Sequence, residues 1–323
     1  TIKPNHTHYT LSSDNDDENP PALDKINRDF HLSMDPYTTE QRIIIDSINR
    51  SVANLKQVHA LSDQDYAQCL EVFEASSDQR FEILNWLEKN VLSQMSKGSN
   101  SILSVGCGTG AFDEQILQNL IGRVEQIKYL GIEPNKLEAA EFVKRMQVKS
   151  AENTVVDSSV LVEKFGGRSF GKDFDLVLFV QSIYYLDDRN DAIDAALDAL
   201  SPGGVLIIVV APDESLNVIA NQIWQRQMGH TSFFSDDLRL HFDNMGIEYS
   251  ETRISAKLNV TNCFNALSHE GRDIIDFTVQ ARTGLLPEPL QKDIFEFLLS
   301  ISKVEAGNTY LPHPVDIFRC KKD

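Results

Sequence analysis

The sequence contains four cysteines, and no two of them are close together in the chain. Cys69, Cys107, Cys263 and Cys320 lie far apart, with no C-x-x-C pair. Zinc sites and disulfide frameworks both depend on closely patterned cysteines. We therefore expect reduced thiols, no disulfide framework and no bound metal.

Long apolar runs and basic residues are also scarce. No stretch of about 18 apolar residues is available to span a membrane, and the first residues lack the basic-then-apolar pattern of a secretory signal. The 30 basic residues are outnumbered by 48 acidic ones, for a net charge of -18, which opposes binding to nucleic-acid phosphates. We expect a cytoplasmic protein without nucleic-acid or membrane partners. The sequence leaves the oligomeric state open and is compatible with a monomer.

Composition and periodicity divide the chain into three parts. Residues 1–36 are polar and acidic, with too little apolar surface to offset the entropy of ordering, and are predicted to form a disordered or extended arm. Residues 37–97 carry apolar residues at spacings of three and four, as in TEQRIIIDSINRSVANLKQ, which predicts a helical N-terminal cap. Residues 98–323 form the third part.

The third part begins with apolar runs that alternate with helical segments. SILSV, IKYLGI, NTVV, FDLVLFV and GVLIIVV are the nearly continuous β-branched runs that strands show when both faces are covered. Strands that alternate with helices predict a doubly wound α/β domain with a mostly parallel sheet. Two later runs, EYSETRIS and HPVDIFRC, are predicted to complete the sheet with an antiparallel edge strand.

Three glycines stand where the first predicted strand turns into the first helix. Gly106, Gly108 and Gly110 follow a G-x-G-x-G spacing, and ligands of open α/β sheets bind beyond this end of the strands. A dinucleotide fingerprint would place its third glycine at the position of Ala111, although that fingerprint also tolerates alanine. The glycines alone therefore do not separate the two cofactor classes.

Nearby acidic residues favour a cofactor that contains a ribose and lacks phosphate. Glu133 ends the second predicted strand, from where a carboxylate can accept hydrogen bonds from ribose hydroxyls. Asp113 and Glu114 open the helix after the glycines and would repel a pyrophosphate at its N-terminus, although acids there also stabilise ordinary helices. A cofactor that carries an ammonium and a sulfonium meets no such repulsion.

Polar residues also follow the third and fourth predicted strands. Asp157 and Ser158 close the third strand, a position suited to holding an adenine amino group. The residues expected over the reacting end of the cofactor leave the fourth strand: Val180, Gln181, Tyr184 and Tyr185.

The motifs VGCGTG, LGIEP, VVDSS, FDLVLFVQSIYYLDD and LSPGGVLIIVV occur in this order over residues 100–211. As a series they resemble class I S-adenosylmethionine-dependent methyltransferases. QSIYYLDD, GVLIIVV, SDDLRLHFDNMGIEY and NVTNCF extend a looser likeness to the histamine N-methyltransferase-like family over most of the chain after residue 65. The resemblance implies a Rossmann-like sheet, S-adenosylmethionine as cofactor, and a methyltransferase domain at 98–323 with substrate-binding insertions after 211. The cap at 37–97 would contribute to the substrate site.

Residue types and resemblance together predict two sets of site residues. The predicted cofactor-binding residues are Gly106, Gly108, Gly110, Glu133, Glu138, Asp157, Ser158, Val180 and Gln181. The substrate-binding residues that the resemblance implies are Asp78, Gln181, Tyr184, Tyr185, Trp224, Phe264 and His313. By the resemblance, Asp78 replaces a longer glutamate, His313 replaces an asparagine and Glu138 replaces an amide. The changes at Asp78 and His313 count against histamine itself as the substrate.

Transfer of a methyl group from a sulfonium is an in-line displacement, so positioning is expected to dominate catalysis. We predict methylation of a nitrogen in a small amine or imidazole compound, with Tyr184, Gln181 and His313 as the catalytic residues and His313 as a base. Packing alone would also explain Tyr184 after a buried strand and Trp224 in an amphipathic helix. Three alternatives stay open: O- or C-methylation of a small aromatic or 2-oxo acid, a nicotinamide-dependent oxidoreductase, and a non-catalytic binding protein.

Overall fold

The computed structural model describes residues 36–147, 154–166, 169–228 and 232–322. Apart from Pro36, the predicted arm at 1–36 lies outside the described residues. The chain divides into two units, residues 1–42 and 43–323. Thr38 caps helix α1 (Thr39–Ala53): its N–H donates to Gln41 Oε1, and the Gln41 N–H donates to Thr38 Oγ1. This reciprocal pair satisfies N–H groups that a helix start leaves without partners.

A seven-stranded sheet organises the second unit. Its strands are β1 (Ser99–Val105), β2 (Gln126–Ile132), β3 (Val155–Leu161), β4 (Phe174–Val180), β5 (Leu200–Val210), β6 (Ser250–Ile254) and, after three short strands, β10 (Val315–Lys321). The short strands β7 (Lys257–Asn259), β8 (Lys303–Glu305) and β9 (Asn308–Pro312) form a separate sheet in the order β7-β9-β8.

The order of the main sheet is β3-β2-β1-β4-β5-β10-β6. The first five strands are parallel, and β10 pairs antiparallel with both β5 and β6. The predicted mostly parallel α/β sheet with antiparallel pairing at one edge is therefore confirmed.

Helices connect and cover the strands. They are α2 (Asp63–Ala75), α3 (Gln79–Asn90), α4 (Ala111–Leu120), α5 (Lys136–Met146), α6 (Arg189–Ala199), α7 (Asn217–Met228), α8 (Ser235–Met245), α9 (His269–Val279) and α10 (Glu288–Ile301). Ser62 caps α2 by accepting from the Asp65 N–H, and Asn135 caps α5 by accepting from the Leu137 N–H. Among the described residues, no helix has the length and apolar character needed to cross a membrane.

Apolar side chains cover both faces of the main sheet. On one face Leu103 and Phe179 pack with Ile193 of α6 and Phe242 of α8. On the other face Ile102 and its neighbours pack with Ile83 and Leu87 of α3, Phe112 and Ile116 of α4, and Phe142 of α5. Adjacent residues such as Ile102 and Leu103 point to opposite faces, which explains why the strands are continuous apolar runs in the sequence.

One charged group is buried in the antiparallel part of the sheet. Asp316 of β10 is fully buried. Its carboxylate accepts from Arg253 Nε at 2.7 Å and Nη2 at 2.9 Å, and from Arg239 Nη2 at 3.3 Å. A carboxylate inside a sheet is tolerated only when it is paired and hydrogen-bonded. The two arginines therefore allow the Asp316 carboxylate to be buried within β10.

We expect Asp316→Asn to lower the free energy of unfolding by about 1–3 kcal/mol, because the buried amide loses part of the charge-assisted hydrogen bonding to Arg253 and Arg239. Urea denaturation measures this change. The matched control is Glu305→Gln, since Glu305 pairs with Lys257 at a half-exposed position and such pairs contribute about 0–1 kcal/mol. Equal stabilities for the two variants would contradict the structural role of Asp316.

Candidate active site

A cavity of about 770 Å³ opens where β1, β2, β4 and β5 end. It is lined by residues at or just after these strand ends, among them Val105, Ile132, Val180 and Ala211. Helices α2, α3, α7 and α9 supply the other walls. The cavity therefore lies at the carboxyl edge of the parallel strands, where open α/β sheets bind their ligands.

The glycine turn forms part of the cavity wall with a left-handed backbone at each glycine. Gly106, Gly108 and Gly110 have φ values of 68°, 55° and 75°, which other residues adopt only with strain. A Cβ on Gly106 would lie 2.5 Å from Ser182 Cβ, and one on Gly110 would lie 2.7 Å from the ring of Phe142. The nearest atom to a Cβ on Gly108 would be 3.6 Å away. Gly106 and Gly110 therefore allow the turn to pack closely against Ser182 and Phe142, whereas Gly108 leaves space at the surface of the turn.

Glu133 lies beside this turn with both carboxylate oxygens held by backbone groups. The Gly108 N–H donates to Oε2 at 3.0 Å, and the Asn135 N–H donates to Oε1 at 2.7 Å. Glu133 is buried and lines the cavity, and each oxygen can still accept a second hydrogen bond. Glu138 lines the same part of the wall, where burial first and the charge of Glu133 second raise its pKa.

The two acids that open α4 are placed differently from each other. Asp113 is buried, lines the cavity and accepts from the Tyr129 hydroxyl at 2.7 Å; burial raises its pKa, and hydrogen bonds oppose the rise. Glu114 is paired with Arg145 at 3.4 Å and does not line the cavity. Of the two acids, Asp113 therefore faces the cavity, and Arg145 offsets the charge of Glu114.

Asp157 and Ser158 do not line the cavity, contrary to the position predicted for adenine-binding residues. β3 continues to Leu161, so both residues lie within the strand, with Asp157 exposed. The segment after β3 contributes Lys164 and Phe165 instead. The sequence analysis missed these two residues because it ended the strand too early, although VEKF directly follows the last apolar residues.

A chain of hydrogen bonds crosses the cavity wall at the exit of β4. The Ala211 N–H donates to the Tyr184 hydroxyl, which donates to Gln181 Oε1, each at 2.5 Å. Gln181 Nε2 then donates to Gln79 Oε1 at 2.8 Å, and Gln79 Nε2 donates to the His313 carbonyl at 2.9 Å. A backbone donor at one end and a backbone acceptor at the other fix the direction of every bond. The sequence analysis predicted Gln181, Tyr184 and His313 but missed Gln79, which is buried in this chain.

His313 is a buried residue of the cavity wall. Its Nδ1 lies 2.8 Å from Ser77 Oγ, and its ring makes an edge contact with Phe73 at 5.1 Å between centroids. Burial lowers the pKa of His313 to about 4. The imidazole is therefore neutral near pH 7.

Aromatic side chains line the cavity in front of Gln181. The Tyr185 hydroxyl lies 2.8 Å from the Tyr66 hydroxyl of α2, and the Tyr185 ring lies 5.9 Å from Trp224 of α7. Tyr185 is 56% exposed because its ring faces the open cavity. Trp224 Nε1 is buried and has no hydrogen-bond partner among the described residues.

Two predicted substrate residues lie outside this cavity. Asp78 directly precedes α3, and its Oδ1 accepts from the Lys257 N–H at 2.7 Å, which turns the carboxylate toward a separate polar depression. Phe264 ends the short helical turn Thr261–Phe264, is 37% exposed and does not itself line either pocket. The N-terminal cap instead presents Glu74 and Arg80 to the cavity as an ion pair. The sequence analysis predicted an acidic contact at the start of α3 and named neither Glu74 nor Arg80.

Within the described part of the chain, no group of three or more His, Cys, Asp or Glu side chains is arranged to hold a metal ion.

The chain matches a family described as a methyltransferase domain over residues 78–252. It is 21% identical to histamine N-methyltransferase of Danio rerio over 277 residues, which cover 73% of this chain and 88% of that protein. It is 22% identical to carnosine N-methyltransferase 2 of Gallus gallus over 300 residues, covering 85% and 88%. A ubiquinone biosynthesis O-methyltransferase of Psychrobacter cryohalolentis is 24% identical over 136 residues, covering 39% and 50%.

Solved structures show a more distant likeness. A plantazolicin methyltransferase in complex with S-adenosylhomocysteine (SAH) has a TM-score of 0.48 at 14% identity, and the match covers 88% of this chain and all of that one. A possible histamine N-methyltransferase of Thermotoga maritima has a TM-score of 0.43 at 14% identity, covering 87% of this chain and all of that one.

The family match extends over more than half of the chain and includes the glycine turn, Glu133 and the exit of β4. It removes the nicotinamide-dependent alternative. The chain therefore belongs to the methyltransferase-domain family, as the sequence predicted, and is an S-adenosylmethionine-dependent methyltransferase.

Proposed function

We propose that this enzyme methylates a nitrogen of a small amine or imidazole compound. The observation that carries the proposal is the orientation of Gln181: the hydrogen-bond chain fixes its amide at the edge of an aromatic cavity. S-adenosylmethionine supplies a methyl group already activated on a sulfonium. The task left to the protein is to hold the acceptor close to that methyl group and in line with it.

The residues around the glycine turn fit this cofactor. Glu133 keeps acceptor capacity on both oxygens and faces the cavity, as the hydroxyls of a ribose require. Gly108 presents backbone with no side chain in the way, and Glu138 adds a second acid that suits a cofactor with positive charge. Ile132 and Phe165 line the wall near β2 and β3 and offer apolar surfaces for a planar base.

Gln181 has capacity left for an acceptor molecule. Its Nε2 donates one N–H to Gln79 and its Oε1 accepts from Tyr184, so one N–H and one lone pair remain. Tyr184 is already used twice, by Ala211 and by Gln181. We infer that Tyr184 is a positioning residue and that Gln181 contacts the acceptor. Tyr185 and Trp224 supply flat aromatic surfaces that bind a heterocycle or stabilise positive charge as the nitrogen gains its methyl group.

His313 supports a nitrogen acceptor over a hydroxyl. A base with a pKa of about 4 is weak near neutral pH, and its Nδ1 is engaged with Ser77. A hydroxyl needs its proton removed in the reaction, whereas a neutral amine or imidazole already presents a lone pair. The N-methyltransferase relatives also match 73% and 85% of the chain, against 39% for the O-methyltransferase.

Methyl-labelled S-adenosylmethionine and a panel of amines, imidazoles, phenols and 2-oxo acids test the acceptor class. We expect transfer to at least one amine or imidazole, with the label on nitrogen by mass spectrometry. Gln181→Asn is the matched variant, because asparagine tolerates the φ of 55° at this position but has a shorter side chain; we expect it to lose activity while keeping cofactor affinity. Transfer only to phenols or oxo acids, or to no acceptor, would contradict the proposal.

For Glu133→Ala we expect affinity for S-adenosylhomocysteine to fall by about 1–3 kcal/mol, because buried ribose hydroxyls lose their acceptors. Calorimetry measures the change, and Glu133→Gln should lose less because it keeps one acceptor oxygen. Asp157→Ala is the control, since Asp157 is exposed and lies outside the cavity. Unchanged affinity in Glu133→Ala, or an equal loss in Asp157→Ala, would argue against the ribose assignment.

The low pKa of His313 predicts a specific acid sensitivity. Its pKa falls from 6.5 to about 4 on burial, so below about pH 6.5 the unfolded chain binds a proton that the folded protein does not. Stability is therefore lost as the pH falls through this range, by about 1 kcal/mol between about pH 7.5 and about pH 5.5. Urea midpoints of the wild type and His313→Asn give the difference, in which the other titrating groups cancel. Parallel curves for the two proteins would show that His313 is not protected from protonation.

A further inference from the structure

Arg189 lines the cavity with most of its guanidinium unpaired. It is the first residue of α6 and belongs to the cavity wall. Its Nη2 donates to the Tyr184 carbonyl at 3.1 Å, and its Cζ lies 5.6 Å from the centre of the Phe233 ring. Its Nε is buried and has no hydrogen-bond partner in the part of the chain that the structure describes. These contacts fix the orientation of the guanidinium but use only one of its N–H groups.

The other basic side chains of the described cavity wall are paired with acids. They are Lys164, which pairs with Asp187 at 2.6 Å, and Arg80, which pairs with Glu74. Within the described residues no acidic side chain pairs with Arg189 in this way. A partly buried charge is unfavourable unless it is paired and hydrogen-bonded. Among the described residues of this wall, Arg189 is therefore the cation left for a ligand to neutralise.

The acids closest to Arg189 in the sequence bear on the kind of anion that fits. Asp188 caps α6 by accepting from the Asp191 N–H at 3.1 Å, and both residues are exposed at the edge of the cavity. They repel a doubly charged phosphate more strongly than a singly charged carboxylate. A carboxylate also matches the planar fork of a guanidinium with two parallel hydrogen bonds. The surroundings of Arg189 therefore favour a carboxylate.

Two more polar groups of the cavity wall are buried without a partner. They are Ser232 Oγ, next to Phe233 in the chain, and Trp224 Nε1 of α7. Neither has a hydrogen-bond partner among the residues that the structure describes, and such groups are rare in buried positions. Both can donate a hydrogen bond, as Arg189 can. This wall therefore has donors in excess, and oxygen atoms of a ligand are what they lack.

Arg189 lies on the side of the cavity where the methyl acceptor is expected. Tyr184 follows β4 and Phe233 follows β5, whereas Glu133, to which we assign the ribose, follows β2. β1 separates β2 from β4 in the sheet. The Tyr184 carbonyl accepts from Arg189 and its hydroxyl donates to Gln181, so Tyr184 connects the two groups. A compound held at Gln181 can therefore extend toward Arg189 without occupying the ribose site.

We propose that Arg189 binds a carboxylate of the methyl acceptor, so that the substrate is an amine or imidazole compound that also carries a carboxylate. This inference rests on the proposed function and narrows its substrate class. The nitrogen that receives the methyl group lies at Gln181 and the carboxylate at Arg189. Two such contacts orient a small molecule for an in-line reaction. Arg189 is thus a specificity-determining residue that acts away from the reacting nitrogen.

Pairs of acceptors that differ only in the carboxylate test this inference. Histidine and histamine form one pair, and γ-aminobutyrate and propylamine form another. For a pair that is methylated, we expect the wild type to prefer the carboxylate member by about 10- to 100-fold in kcat/KM, the range for hydrogen bonds to a charged group. Arg189→Gln keeps N–H donors for the Tyr184 carbonyl but removes the charge. It should lower kcat/KM for the carboxylate member by the same factor and leave the other member nearly unchanged, and Arg189→Lys should recover part of the loss.

Lys164→Gln is the matched control, because Lys164 is a cation of the same cavity that is already paired. It should change both members of a pair by the same factor. Calorimetry with S-adenosylhomocysteine is the second readout, and Arg189→Gln should leave this affinity unchanged because Arg189 is assigned to the acceptor. Thermal unfolding confirms that each variant is folded.

Three results would overturn the role of Arg189: a wild type without preference for the carboxylate member, an Arg189→Gln variant that lowers both members equally, or one that loses affinity for S-adenosylhomocysteine. Transfer by the wild type to no amine or imidazole, with or without a carboxylate, would instead overturn the proposed function. Transfer only to the members without a carboxylate would leave the proposed function in place and contradict this inference. The two failures are therefore distinguishable.

Discussion

The cavity depends on a hydrogen-bond chain that begins at the Ala211 amide and ends at the His313 carbonyl. Because the ends are a backbone donor and a backbone acceptor, neither Gln181 nor Gln79 can turn its amide around without leaving buried groups unpaired. The chain ties the segments after β4 and β5 to α3 and to the lead into β10. It also explains why Gln181 holds a positive φ of 55°: the surrounding bonds determine a backbone state that costs energy in isolation.

The cavity wall also concentrates acidic side chains near β2. Glu133 and Glu138 occupy the side near β2, and burial together with their mutual repulsion raises the pKa of Glu138. Glu138 adds negative charge beside the ribose site proposed at Glu133, which suits a positively charged cofactor better than one that carries a pyrophosphate.

The sequence predicted the parts of the fold that depend on burial and on backbone conformation. Continuous apolar runs identified β1, β2, β4 and β5, and the left-handed glycines identified the turn. Residue positions that depend on where a helix or strand ends were harder to predict from the sequence. Asp157 was placed at a strand end, but β3 continues through it, since VVDSSVL alternates in burial as an edge strand does. Asp78 was placed in the site, yet the phase of the cap helices brings Glu74 and Arg80 there. A shift of one or two residues changes which face of a helix a side chain occupies.

The antiparallel strand explains how a residue so late in the chain reaches the site. In a parallel sheet every strand begins at the edge away from the ligand and ends at the edge near it. β10 runs the other way, with Asp316 opposite Val210 at the end of β5. The start of β10 therefore lies at the carboxyl edge of its neighbours, and His313, two residues before the strand, faces the cavity. A parallel strand in the same place would have put His313 at the far edge of the sheet. The direction of one strand thus decides which part of the C-terminal segment can act on a ligand, and the buried pairing of Asp316 with Arg253 holds that strand in place.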